Sequence, residues 1–255
     1  MPDAARDLVG SLAKGLDVMA ILAARPAGLT LTETAAEAGL TRAGARRFLL
    51  TLVAAGYALQ DGRQFRLSPR LLGLARQWLD GTSLWSFAEP HMRKVSAALK
   101  ESCSAAVLSD ADVVYVARVP GERIMSVALH VGTRLPAYCT SMGRVLLSGL
   151  AEAELRDFLD RIEPRGLTGK TVTDRGKLFT IIREAANDGF ALVDEELEIG
   201  LRSIAVPIRD RSGRIVAAIN VSTQSARFTT AAMRREILPH LRQAARDIES
   251  FFALQ

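Results

Sequence analysis

Residues 32–67 read TETAAEAGLTRAGARRFLLTLVAAGYALQDGRQFRL, and the punctuation of this stretch decides the N-terminal fold. Thr32 predicts the N-cap of a short helix running to Ala38, with Gly39 just past its end. Thr41 predicts the cap of a longer helix through Ala55, closed by Gly56. Two helices joined by Gly39-Leu40 form a helix-turn-helix pattern. Phe48, Leu49, Leu52 and Val53 make the inward stripe of the second helix, leaving Arg42, Ala43, Arg46 and Arg47 on its other face or its first turns. Tyr57-Ala58-Leu59 and Phe65-Arg66-Leu67 then alternate like strands around Gln60-Asp61-Gly62-Arg63, where Asp-Gly is a hairpin signal. The expectation is a winged helix-turn-helix.

On the N-terminal side, Leu8, Leu12, Leu16, Met19, Ala20 and Ala23 keep helical spacing until Arg25-Pro26-Ala27-Gly28 stops them. On the C-terminal side, Ser68-Pro69 pairs an N-cap with proline at the first helical position, opening a linker helix with Leu71, Leu72, Ala75, Trp78 and Leu79 as far as Gly81. Its broad apolar face fits dimerisation as well as packing on its own domain. Arg42 sits where the helix dipole disfavours a cation by a few tenths to about 1 kcal/mol, a cost that an external anion offsets. Thr41, Arg42, Ala43 and Arg46 are therefore expected in a DNA major groove, with Arg47 near phosphate. Arg63 at the wing tip and Arg66 on its outer face are placed to touch phosphate or the minor groove. A solvated, charged surface would look similar at any one of these positions; the whole pattern favours DNA.

Charge supports this reading. The chain carries a net +5, and residues 25–76 alone hold eight Arg against Glu33, Glu37 and Asp61. Two cysteines, Cys103 and Cys139, are too few for a disulfide framework or zinc site, and no long uncharged apolar run occurs. A cytoplasmic protein with no membrane span is expected. His91, His130 and His240 lack ligand spacing, and HExxH, CxxC, GxSxG, P-loop and GxGxxG motifs are all missing. No catalytic constellation, metal site or cofactor is expected. Glu195, Glu196 and Glu198 beside Asp194 read as a solvated loop rather than a carboxylate pair.

The second half reads as α+β. Strands are expected over 105–109, 113–118 and 124–131, helices near 141–150, 152–162 and 174–188, strands over 203–209 and 214–222, and a final helix from Thr229 to Phe252. Asp210-Arg211-Ser212-Gly213 joins the last two strands. Thr140-Ser141-Met142-Gly143 opens a helix whose free N–H groups offer an anion site, with Arg134 and Tyr138 upstream as carboxylate partner and ring cover. Asn220 and Ser222 share one face of an otherwise apolar strand, where burial demands a partner that a ligand, water or backbone could supply.

TRAGARRFLLTL (41–52) with Gly56-Tyr57 resembles the recognition helix of IclR-family regulators. GTRLPAYCTSMGRVLL (132–147), DEELEIGLRSIAVP (194–207) and AAINVS (217–222) are similar to the family's effector-domain signatures and fall in the expected order. RFLLTL, VVYVARVP and RLPAYCTSMGRVLL are most similar to the subgroup regulating protocatechuate, 4-hydroxybenzoate and β-ketoadipate catabolism. The resemblance implies a winged helix-turn-helix over 1–67, a linker helix over 68–81, and over 82–255 a GAF-like α/β effector-binding domain with an antiparallel sheet. It implies double-stranded operator DNA and a small organic acid as partners, homodimers or dimers of dimers, and effector contacts at Thr140, Ser141, Met142, Asp194, Ser203, Asn220 and Ser222. A small keto acid such as pyruvate or glyoxylate, or an enzyme acting on a small organic acid, is the alternative.

Overall fold

In the computed structural model, which describes residues 9–74, 83–122 and 129–253, the chain divides into two compact units, Met1–Gly81 and Thr82–Gln255. Within the first, α1 (Gly10–Ala23), β1 (Leu29–Thr30), α2 (Leu31–Glu37) and α3 (Arg42–Ala54) precede the hairpin β2 (Ala58–Asp61) and β3 (Gln64–Leu67). The small sheet has the order β1-β3-β2. Val18, Leu22, Leu49, Leu52, Ala58 and Phe65 bury its core, so three helices and the hairpin share one apolar centre. The cap of α2 is Thr30 rather than the expected Thr32. Thr30 accepts from the Glu33 amide at 3.3 Å while the Glu33 carboxylate accepts from the Thr30 amide at 2.7 Å, a capping box satisfying two orphan donors. Thr41 caps α3 as expected, accepting from Gly44 N–H at 3.1 Å. Gly62 takes φ +56°, and Asp61 pairs with Gln64, so the turn is tighter than the expected four residues. Residues 70–74 continue as helix; the rest of the expected linker helix, 75–81, lies outside the described residues.

The second unit is built on one antiparallel sheet in the order β6-β5-β4-β9-β8-β7. Its elements run α4 (Ser83–Leu99), β4 (Ser102–Ser109), β5 (Asp112–Val119), β6 (Arg134–Pro136), a 3-10 turn (Ala137–Cys139), α5 (Ser141–Leu147), α6 (Glu152–Arg161), α7 (Arg175–Asp188), β7 (Ala191–Asp194), β8 (Leu201–Arg209), β9 (Ile215–Gln224) and, after a π-helical turn at Met233–Ile237, α8 (Leu238–Ala253). Met142, Val145, Leu155, Phe158, Leu178 and Ile182 of α5, α6 and α7 pack on Ala106, Tyr115, Ala205 and Ala218 of the sheet. Helices α4 and α8 contact each other and the strands, and alternate residues such as Cys103, Ala105, Ile204, Ile219 and Val221 are buried as well. Both sheet faces are covered, which explains why β9 is buried almost throughout on both its faces. Gly143 lets α5 settle onto the preceding turn, where a Cβ would run into the backbone of Ala137.

The expected strand over 124–131 falls largely on residues 123–128, outside those described, and 129–131 are not strand. Strands β6 and β7 and helix α4 were not anticipated: the two strands are short, and Pro90 lies inside the helix.

Candidate functional site

The first unit presents a cationic edge. Arg42 and Arg46 lie one turn apart on exposed α3, as do Ala43 and Arg47, and Arg63 and Arg66 stand exposed on the hairpin. None of these five guanidiniums has an ion-pair partner among the described residues. Arg70, by contrast, is structural: it donates to the Ala55 carbonyl at 2.8 Å beyond α3 and lies over the Tyr57 ring at 5.1 Å.

In the second unit the antiparallel register sets a polar row on the sheet face that α5 covers. Ser104 lies opposite both Arg118 and Asn220, and Ser222 lies opposite both Ser102 and Ser203. Directly opposed residues share a face. A cavity of about 20 Å³ opens there, lined by Thr140 and Ser141 from the start of α5, by Ser203, Asn220 and Ser222 from the sheet, and by Tyr115, Leu129, Cys139, Val193, Leu197 and Leu201. The site thus joins an apolar wall suited to a flat ring with hydroxyl and amide groups. Asn220 Nδ2 donates to Ser222 Oγ at 3.1 Å, yet Asn220 Oδ1 and Ser141 Oγ are buried with no hydrogen-bond partner among the described residues. Such atoms cost about 1–3 kcal/mol each when left unpaired. They are the acceptor and the hydroxyl that a ligand could satisfy. Cys139 is inert here, its thiol pushed up to about 11 chiefly by burial.

The other residues singled out from sequence do not reach this cavity. Arg134 sits on the edge strand, its guanidinium committed to Asp112 at 3.1 Å and to the Ser109 carbonyl at 3.0 Å, so it is not placed to meet a carboxylate in the cavity. Tyr138 is buried in the core and does not line the cavity, its hydroxyl donating to the Arg165 carbonyl at 2.8 Å and accepting from the Arg165 amide at 3.0 Å. Met142 lies in the core under α5. Asp194 is clasped by Arg202 at 2.6 Å and Lys170 at 3.3 Å; the Arg202 hydrogen bond holds its carboxyl below the usual range.

The solvated-loop reading fails at Glu196. Its carboxylate is buried and receives both Nη1 and Nη2 of fully buried Arg144 at 2.7 Å, as well as Val172 N–H at 2.9 Å, while Arg144 Nε donates to the Tyr138 carbonyl. The pair ties α5 to the β7–β8 loop, whose Leu197 lines the cavity. Neither residue stands out in sequence, since 52 positions separate them. No cluster fit to hold a metal occurs among the described residues, and no helix there is long and apolar enough to cross a membrane.

Family comparison agrees with this architecture. The IclR helix-turn-helix domain matches residues 11–62, and the C-terminal domain of bacterial IclR transcriptional regulators matches residues 76–250. The Pca regulon regulatory protein of Pseudomonas putida is 42% identical over 95% of this chain and 84% of its own length. A crystal structure from Rhodococcus sp. RHA1 is 47% identical, with a TM-score of 0.84 over 97% of this chain and 99% of that one. An IclR homologue from Microbacterium hydrocarbonoxydans complexed with 4-hydroxybenzoate is 26% identical, with a TM-score of 0.83 over 96% of this chain and all of that one. Both units are thus matched, in order and along nearly the whole sequence, and the chain belongs to the IclR family of ligand-responsive, DNA-binding transcriptional regulators.

Proposed function

We propose that this regulator controls an aromatic-acid catabolic operon in the cytoplasm, releasing or rearranging on its operator when a small aromatic or dicarboxylic acid enters the cavity of the second unit. In this reading residues 1–67 bind double-stranded DNA, 68–81 link, and 82–255 sense. Thr41, Arg42, Ala43 and Arg46 enter the major groove, and Arg47, Arg63 and Arg66 hold phosphate or the minor groove. The chain acts as a homodimer or a dimer of dimers, as symmetric operators require, and turns over no substrate.

The observation that carries the proposal is the pair of buried atoms without a partner among the described residues, Ser141 Oγ and Asn220 Oδ1, on facing walls of a cavity that also holds Thr140, Ser203 and Ser222 beside a tyrosine ring and leucines. The similarity to the Pca regulator and to a homologue that binds 4-hydroxybenzoate supports the aromatic class. A cavity of about 20 Å³ holds one water, whereas occupied ligand pockets measure roughly 300–1,000 Å³. Effector entry therefore has to part the walls, and that motion is the signal.

The test is a thermal-shift screen of the purified protein against hydroxybenzoates, protocatechuate, β-ketoadipate, pyruvate and glyoxylate. A ligand at 100 times its Kd adds about 2.7 kcal/mol of stability. Stabilisation by an aromatic acid or β-ketoadipate is expected; stabilisation by pyruvate or glyoxylate alone would overturn the pathway assignment.

A further inference from the structure

We propose that Arg118 is the carboxylate-binding residue of the effector site, at the cationic end of the polar row that begins in the cavity with Asn220 and Ser222. The inference rests on the reading of that cavity as an organic-acid site and names the group that recognises the acid.

Arg118 lies on β5 directly opposite Ser104, which is itself directly opposite Asn220, so the three share the sheet face on which the cavity opens. A bulge between Ala105 and Ala106 brings Tyr115, which lines the cavity, onto the same face as Arg118. The guanidinium reaches back over β4: Nη1 lies 3.3 Å from Ser104 Oγ and Nη2 lies 3.2 Å from Ser102 Oγ. It therefore stands above the strand next to Asn220, within about one strand spacing of ~4.8 Å.

Two hydroxyl acceptors use only part of a fork of five N–H donors. Among the described residues no carboxylate pairs with Arg118, and residues 123–128, which follow β5, contain no Asp or Glu. A half-buried guanidinium without a counter-charge is expensive, and burial holds its pKa below the usual arginine value. The largely buried side chains of Arg144, Arg202 and Arg227 in this unit are each neutralised, by Glu196, Asp194 and Glu101 respectively. Arg118 is left with a place for an external anion, in the bidentate geometry that arginine offers a carboxylate. A hydroxybenzoate would set its carboxylate on Arg118 and lay its ring against Tyr115, which lines the cavity.

Calorimetric titration of the full chain with 4-hydroxybenzoate and its uncharged analogue 4-hydroxybenzamide, alongside protocatechuate and β-ketoadipate, tests the assignment. Wild type is expected to prefer the acid over the amide by 100-fold or more. In Arg118→Gln that preference collapses to within about threefold, because the acid loses its partner and the amide does not. Arg118→Lys keeps the charge but not the fork, and loses roughly tenfold for the acid alone; it carries the test if circular dichroism shows Arg118→Gln to be unfolded. Acid binding in Arg118→Gln with the preference intact would overturn the role of Arg118 and leave the cavity reading standing. Failure of wild type to bind any of the three acids would overturn both.

Discussion

At the scale of single residues, what a side chain does here follows from whether the fold supplies its partner. Arg46 has none among the described residues, and it projects from exposed α3 one turn after Arg42. A bidentate contact to a guanine edge is worth about 1–3 kcal/mol. Arg46→Ala is therefore expected to weaken operator binding by roughly 5- to 150-fold with effector affinity unchanged; equal operator affinity in a gel shift would remove Arg46 from the readout. Ser203 is the converse case, a small polar residue that leaves space beside Asn220 and Ser222. Ser203→Leu fills that space, and we expect it to abolish the effector's stabilisation of the protein while operator binding persists. A normal ligand titration in that variant would move the binding site out of the cavity. The sequence made Asn220 and Ser222 legible because period-two alternation exposes polar residues on an apolar strand, whereas Ser203 was reached only through the resemblance to the family. It misled at Arg134, which precedes the cavity wall in sequence but lies on an edge strand where Asp112 takes its charge. Arg118 was the better candidate, and its signal was present: a lone arginine in the apolar run of β5.

At the scale of elements, local punctuation predicted what local forces decide. Thr41 and Gly56 bound α3, and Asp61-Gly62 turned the hairpin, because caps and turns are settled within a few residues, although at α2 the cap fell on Thr30, which pairs with Glu33, and not on Thr32. Elements held by distant partners were not legible in the same way. The β7–β8 loop reads as acidic and solvated, but Thr168 and Thr171 hydroxyls donate to the Glu195 and Glu196 carbonyls at 2.7 and 2.6 Å, Arg144 takes the Glu196 carboxylate, and Lys170 and Arg202 clasp Asp194. The clasp titrates. The Asp194 and Glu195 carboxyls are both held below their ordinary values, Asp194 chiefly by Arg202 and Glu195 chiefly by Lys170. A depressed carboxyl contributes stability that is fully present above its unfolded value, about 4, and is lost as pH falls through the lower folded value. Asp194→Asn should thus lower the urea midpoint by a constant amount from pH 7 to pH 5, and the gap to wild type should shrink towards pH 3. A gap that stays constant down to pH 3 would show that the carboxylate charge at Asp194 contributes nothing.

At the scale of the molecule, a regulator of this kind works only if two sites that share no residue share a free energy. The candidate DNA edge lies in one compact unit and the cavity in the other, so in the proposed reading effector and operator are coupled between units that share no residue. Such coupling is commonly about 1–3 kcal/mol, a factor of roughly 5 to 150, and it is reciprocal. If 4-hydroxybenzoate or protocatechuate lowers operator affinity by some factor, saturating operator must lower the affinity for that acid by the same factor. In the proposed reading, an acid larger than the cavity selects a form in which the cavity walls stand further apart, and that selection is the coupling term. Measuring the operator Kd with and without effector, and the effector Kd with and without operator, checks this directly. Equal factors well above one are expected. A factor of one on both sides would mean that the cavity, even if it binds the acid, does not regulate through operator affinity, and the response would have to be sought in the shape of the bound complex.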